Sequence, residues 1–209
     1  MSNSTTVSEL LSGQSIVPVV VIENKQQALG LAQALVDGGI NVIEITLRND
    51  YGIHAIGAVK TAFPDMLTLA GTVTSAQEMV DVVNAGVDGI ISPGLTPALL
   101  QTAEEQKIAY LPGVATPSDI LLGMQHGLME FKLFPATVVG GVGALKAFGG
   151  PFPELKFCPT GGVGEVNFRE FLALANVMCV GGSWIAPAAM IAEENWQGIT
   201  DLCLAATAS

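Results

Sequence analysis

Lys132 sits in the middle of EFKLFPA (130–136), where Phe131, Leu133 and Phe134 surround it with apolar bulk. Taking an ammonium out of water is costly unless it is paired or loses its proton. Burial disfavours the charged form of an amine, and a neutral amine is a nucleophile that attacks a ketone to form a Schiff base. The cationic imine nitrogen is an electron sink, so cleavage of a neighbouring carbon–carbon bond leaves an enamine rather than a bare carbanion. That chemistry needs a proton shuttle, and Glu44 in NVIEITLR (41–48) is the candidate general base and acid. It also needs a group to hold an anionic substrate. Arg48 offers a bidentate fork for a carboxylate.

Side chains alternate along a strand, and the alternation predicts which residues share a face. In NVIEITLR, Ile43, Ile45 and Leu47 form one row and Val42, Glu44, Thr46 and Arg48 the other. In EFKLFPA, Lys132 shares its row with Glu130 and Phe134. In LTLAGTV (67–73), Thr68, Ala70 and Thr72 share a row, and in LKFCPTGG (155–162) Thr160 ends a row with Cys158 and Lys156. Glu44, Arg48, Thr72, Lys132 and Thr160 are therefore expected to project into one interior, towards the C-terminal ends of their strands. A buried ion pair of Glu44 with Lys132 or Arg48, with polar filling and no chemistry, would write the same pattern. Phe134 is either core or a wall against a substrate. Ser92-Pro93-Gly94 either shapes the mouth or makes a simple turn.

Glycines add a second clue. PTGG (159–162) and GGS (181–183) each close an apolar strand-like run. Glycine lets backbone N–H groups approach an oxyanion closely, and barrels hold phosphate after their seventh and eighth strands. Tight turns alone would also explain them.

The elements that must position these residues alternate throughout. Strand candidates are SIVPVVVI (15–22), NVIEITL (41–47), LTLAGTV (67–73), GIISPG (89–94), AYLPGV (109–114), EFKLFPA (130–136), LKFCPTGG (155–162) and VMCVGGSW (177–184). Amphipathic helix candidates lie between them, and SAQEMVDVVNAG opens with Ser75 and Glu78 in a capping-box pattern. Eight strand–helix units predict an α/β fold, a closed (β/α)₈ TIM barrel, with an extra N-terminal helix, TVSELLSG, before the first strand. An open doubly wound sheet is the competitor, and it lacks its glycine fingerprint here. With no linker or composition break, residues 1–209 are expected to form a single domain.

Eight Lys and Arg stand against 19 Asp and Glu, for a net charge of −11, which argues against nucleic acid and anionic membrane surfaces as partners. No run reaches the roughly 18 apolar residues of a membrane-spanning helix, and MSNSTTVSELL lacks the features of a signal peptide. A cytoplasmic protein is expected. Cys158, Cys179 and Cys203 read as buried free thiols. His54 and His126 fall in predicted helices without ligand spacing, so no metal is expected. Trp184 and Met178 read as packing.

VPVVVI, GGINVIEITLR, AGTV, ISPGLT, LPGVATPSD, GLMEFKLFPA, FCPTGGV and CVGGSW run in order from about residue 15 to 185. In these stretches the chain resembles the bacterial 2-keto-3-deoxy-6-phosphogluconate (KDPG) aldolases, also called 4-hydroxy-2-oxoglutarate (KHG) aldolases. The resemblance implies a homotrimeric class I aldolase of the Entner–Doudoroff route, with no metal or cofactor, acting on a small keto-acid phosphate. It implies Lys132 as the Schiff-base lysine and Glu44 as the acid/base. Arg48 and Thr72 would hold the carboxylate end, and Pro93 and Phe134 would line the pocket. Thr160 matches the position that influences stereochemistry at C4. Gly161, Gly162, Gly181, Gly182 and Ser183 match the phosphate-binding loops. ATVVGG (136–141) departs from the family pattern, which is more polar before the glycines. The galactonate-series aldolase is the near alternative, and Ser183 with Thr160 favours the gluconate series. A phosphosugar isomerase or epimerase using Glu44 as base, with Lys132 as a charged anchor, is an alternative of another class. A noncatalytic sugar-phosphate binding protein is a third.

Overall fold

The computed structural model describes residues 5–208, in which parallel strands alternate with helices. Helix α1 (Val7–Leu11) leads into β1 (Ile16–Val20), α2 (Lys25–Asp37), β2 (Val42–Thr46), α3 (Gly52–Ala62), β3 (Leu67–Gly71), α4 (Ala76–Asn84), β4 (Gly89–Ile91) and α5 (Pro97–Gln106). There follow β5 (Ala109–Leu111), β6 (Gly113–Val114), α6 (Pro117–Gln125), β7 (Glu130–Leu133) and α7 (Gly141–Phe148). The chain then runs through β8 (Lys156–Pro159), α8 (Phe168–Leu172), β9 (Val180–Gly182), α9 (Ala188–Ala192) and α10 (Trp196–Thr207).

Local chemistry sets these boundaries. Ser75 and Glu78 cap α4 reciprocally, as their spacing predicts, and Thr116 with Asp119 does the same for α6. Pro97 and Pro117 occupy first turns, where a missing N–H costs nothing. The run AYLPGV does not form one strand: Pro112 has no N–H to give and divides it into β5 and β6. Helix α9 carries too short a pattern to be anticipated.

Every residue of β1 and β2 is buried, as expected of parallel strands covered on both faces. Six strands pair in the order β5-β4-β3-β2-β1-β9, and three in the order β6-β7-β8. All pairings are parallel. The sheets meet where β5 passes into β6 at Pro112. They also meet through bridges from Phe157 to Val177 and from Thr160 to Gly181. The result is a parallel sheet curled into an inner face, with helices outside.

The core lies on both sides of this sheet. Outside it, Phe157 packs against Phe131 and Phe148 with ring centroids 6.3 and 6.0 Å apart. At the N-terminal ends of the strands, α1 buries Val7 and Leu11. The N–H of Ser8 donates to Glu130 Oε2 at 3.1 Å, and the Ser8 hydroxyl donates to the other carboxylate oxygen. Glu130, one row-step below Lys132, is thus occupied by α1.

Candidate active site

Strand β7 presents Lys132 beside Gly113 of β6 and Cys158 of β8. Strand β2 presents Glu44 beside Val19 of β1 and Leu69 of β3. Although the two strands belong to different sheets, Lys132 Nζ donates to Glu44 Oε1 at 3.1 Å. The curl of the sheet is what lets side chains 88 residues apart in sequence meet. Their side chains are only 5% and 2% exposed. Removing one partner of such a pair costs about 3–5 kcal/mol, because the other charge is left buried alone. Lys132 Nζ also lies 5.4 Å from the centre of the Phe134 ring. The amine must shed a proton before it can attack a carbonyl, and the nearest group able to hold one is the Glu44 carboxylate.

Gly71 makes room for that carboxylate. A Cβ on Gly71 would lie 2.7 Å from Glu44 Cγ and 2.9 Å from Cδ, with Oε1 nearer still. Sequence reasoning missed this residue. The only signal was a glycine in AGTV, two residues before the end of the strand candidate LTLAGTV and the last residue of β3 itself.

On the other side of Lys132, Cys158 and Cys179 are buried free thiols. A hydrogen bond from Cys179 holds the Cys158 thiol below the usual range, assisted by Lys132 and Thr160 and opposed by burial and Glu44. Cys179, as donor, is pushed well above it by that bond and by burial. Cys158 Sγ lies 3.7 Å from Thr160 Oγ1.

Arg48 and Thr72 stand beyond the ends of β2 and β3. Arg48 is exposed, and its Nε donates to Thr72 Oγ1 at 3.4 Å. Thr72 does not arrive there by the alternation predicted for LTLAGTV. The register pairs Glu44 with Leu69 and Thr46 with Gly71, so Leu69 and Gly71 belong to the inner row and Thr68 and Ala70 to the outer. Thr72 adopts φ +59°, which re-aims the chain after β3. A β-branched residue in the left-handed region is uncommon and costs on the order of 1–3 kcal/mol.

Pro93 is exposed just past β4. Its neighbour Ser92 donates from Oγ to the Gly94 carbonyl at 2.5 Å and meets Tyr110 Oη at 2.7 Å. Burial pushes the Tyr110 hydroxyl up to about 12, partly offset by Ser92, so the phenol stays protonated and can donate. Pro93 therefore sits on a braced turn.

Thr160 is buried and bridges to Gly181, where a Cβ would lie 3.2 Å from Thr160 Cγ2 and closer to Oγ1. Gly161 and Gly162 both have positive φ, +95° and +76°. Gly182 is buried beneath the Trp184 ring, and Ser183 is exposed. The bridge makes the two glycine loops neighbours. Trp184 packs against Phe168 with ring centroids 5.5 Å apart and planes tilted by 31°. His54 lies in α3 beside Tyr51, whereas His126 caps the C-terminus of α6 and pairs with Glu104 at 2.9 Å. Among the described residues, no three His, Cys, Asp or Glu side chains are grouped to hold a metal, and no helix is long and apolar enough to cross a membrane.

Fold and site together define a parallel α/β protein with a buried lysine–carboxylate contact on its inner face. The family model for aldolases of the KDPG and KHG type matches residues 7–202, and the chain belongs to that family. It is 45% identical over 204 residues to the 2-dehydro-3-deoxy-phosphogluconate aldolase of Dickeya dadantii, covering 98% of this chain and 96% of that one. It is 44% identical over 198 residues to the KHG/KDPG aldolase of Escherichia coli K12, covering 95% and 93%. A crystal structure of the KDPG aldolase of Legionella pneumophila superposes with a TM-score of 0.95 at 45% identity, covering 98% of this chain and 99% of that one. That structure holds pyruvate captured at low pH as a covalent carbinolamine intermediate.

Proposed function

We propose that this protein is a class I aldolase that cleaves KDPG to pyruvate and glyceraldehyde 3-phosphate, and 4-hydroxy-2-oxoglutarate to pyruvate and glyoxylate. The observation that carries the reading is the buried contact between Lys132 and Glu44 at 3.1 Å. The Legionella relative's covalent pyruvate is the chemistry this reading assigns to Lys132.

The substrate carboxylate lies against Arg48 and Thr72, which brings the C2 ketone to Lys132. The neutral amine adds to C2, and loss of water gives the iminium. Glu44, directly or through a water, takes the C4 hydroxyl proton. The C3–C4 bond breaks, its electron pair enters the iminium as an enamine, and the aldehyde leaves. Glu44 then returns a proton to C3, and water releases pyruvate. Pro93 and Phe134 wall the pocket, and Thr160 stands where the C4 configuration is read. The N–H groups around Gly161, Gly162, Gly181 and Gly182, with the Ser183 hydroxyl, take the phosphate. Two glycine loops brought side by side by the Thr160–Gly181 bridge support that assignment.

In this reading the curled sheet is a closed (β/α)₈ barrel with α1 as an added N-terminal helix, in a single domain spanning 1–209. The continuity of β5 with β6 and the bridges from β8 towards β9 support closure. As the family resemblance implies, the protein acts as a cytoplasmic homotrimer, so its mass in solution is three times the 21.6 kDa of the chain.

The test is cleavage of KDPG with pyruvate and glyceraldehyde 3-phosphate both quantified, beside the C4 epimer of the galactonate series. Equimolar products and a preference for KDPG are expected. Interconversion of phosphosugars without pyruvate would instead reveal an isomerase.

A further inference from the structure

Thr137 follows β7 in the ATVVGG stretch and reaches across to the loop after β8. The Gly161 carbonyl accepts from the Thr137 N–H at 3.1 Å and from Thr137 Oγ1 at 3.3 Å. One residue earlier, the Thr160 carbonyl accepts from the Ala136 N–H at 2.8 Å. In a trans peptide the N–H points opposite to the C=O of the same unit. Anchoring the Gly161 carbonyl therefore turns the Gly162 N–H away from Thr137. Gly162 is exposed, and among the described residues its N–H donates to no protein acceptor. The Thr137 side chain also fills the space beside Gly162: a Cβ there would lie 2.8 Å from Thr137 Cγ2 and 2.9 Å from its Cβ, with Oγ1 nearer. The peptide linking Gly161 to Gly162 is thus held from one side and free to donate to an anion on the other.

We propose that Thr137 is a positioning residue that aims the Gly162 N–H at the substrate phosphate and so sets the preference for phosphorylated over unphosphorylated 2-keto acids. This rests on the phosphate role proposed above for the Gly161–Gly162 loop. The Thr137 backbone N–H holds the Gly161 carbonyl whatever the side chain, and the hydroxyl supplies the second donor that fixes its direction.

The experiment compares wild type, Thr137→Val and Thr137→Ser with KDPG and 4-hydroxy-2-oxoglutarate as substrates. Valine keeps the shape and removes the donor; serine keeps the donor. One hydrogen bond is worth about a fivefold change. In Thr137→Val the ratio of kcat/KM for KDPG over 4-hydroxy-2-oxoglutarate falls about fivefold through the KM for KDPG, and Thr137→Ser restores it. A ratio that holds in Thr137→Val, or falls equally in Thr137→Ser, overturns the inference while wild type cleaves both substrates. A wild-type protein that does not cleave KDPG overturns the functional reading itself.

Discussion

Gly71→Ala adds one methyl group directly against the Glu44 carboxylate, the proposed acid/base. The new Cβ would stand 2.7 Å from Glu44 Cγ, and closer to Oε1, where ordinary contact begins near 3.4 Å. Glu44 is enclosed and cannot swing into solvent, so its carboxylate must shift by about 1 Å. Displacement of a reacting group by that distance lowers turnover about 100-fold. Overpacking costs about 1–3 kcal/mol of stability. In a chain of this size that lowers Tm by about 2–12 °C. The assay couples released pyruvate to lactate dehydrogenase, with Tm and circular dichroism measured in parallel. The variant is expected to stay folded and lose kcat far more than its lowered Tm explains. Borohydride with pyruvate is still expected to label Lys132, whose strand is not touched. Wild-type kcat in a folded Gly71→Ala protein would refute the placement of Glu44 as acid/base.

Other outcomes follow from the same geometry. Glu44→Gln keeps the size of the side chain but cannot accept a proton; kcat is expected to fall about 10²–10⁴-fold, read in the same coupled assay. Thr72→Gly relieves the left-handed strain and removes the hydroxyl facing Arg48. Its stability is expected to stay within about 1 kcal/mol of wild type, while the KM for KDPG rises about fivefold. At α4, burial alone would raise the Glu78 carboxyl, but hydrogen bonds from Thr74 and Ser75 outweigh it and hold it below its ordinary 4.5. The capping stabilisation is therefore complete above pH 4.5 and is lost as pH falls through the depressed folded value. Thermal unfolding of wild type and Glu78→Gln should converge in acid and separate towards neutrality.

That Lys132 and Glu44 share an interior was legible in the sequence because each is a charge set among apolar strand residues, but the letters left Glu44 to pair with either Lys132 or Arg48. Where both faces of a strand are buried, period two gives the two rows but not which of them faces inward, and a charge among apolar neighbours is what marks the row; β3 carries no such charge, and its inner row is Leu69 and Gly71 rather than Thr68 and Ala70. Thr72 shows where that logic stops. A single φ of +59° moves a side chain off its row, and nothing in the letters LTLAGTV announces it. Gly71 was unreadable for another reason: its function is the volume it leaves empty beside a residue 27 positions earlier. Pro112 was visible, but its lack of an N–H splits a strand only if its neighbours demand that donor. The capping boxes at Ser75 and Thr116 are local in sequence and form as local chemistry requires. The glycine loops were half legible: paired glycines announce close approach, whereas the Thr160–Gly181 bridge that joins them is a tertiary fact.

The most direct measurement is reductive trapping. Wild type and Lys132→Arg are incubated with pyruvate and borohydride, digested, and mapped by mass spectrometry. The account predicts one reduced pyruvate on Lys132 in wild type, and neither adduct nor aldolase activity in the arginine variant. A modified residue other than Lys132, or an active Lys132→Arg protein, would contradict it.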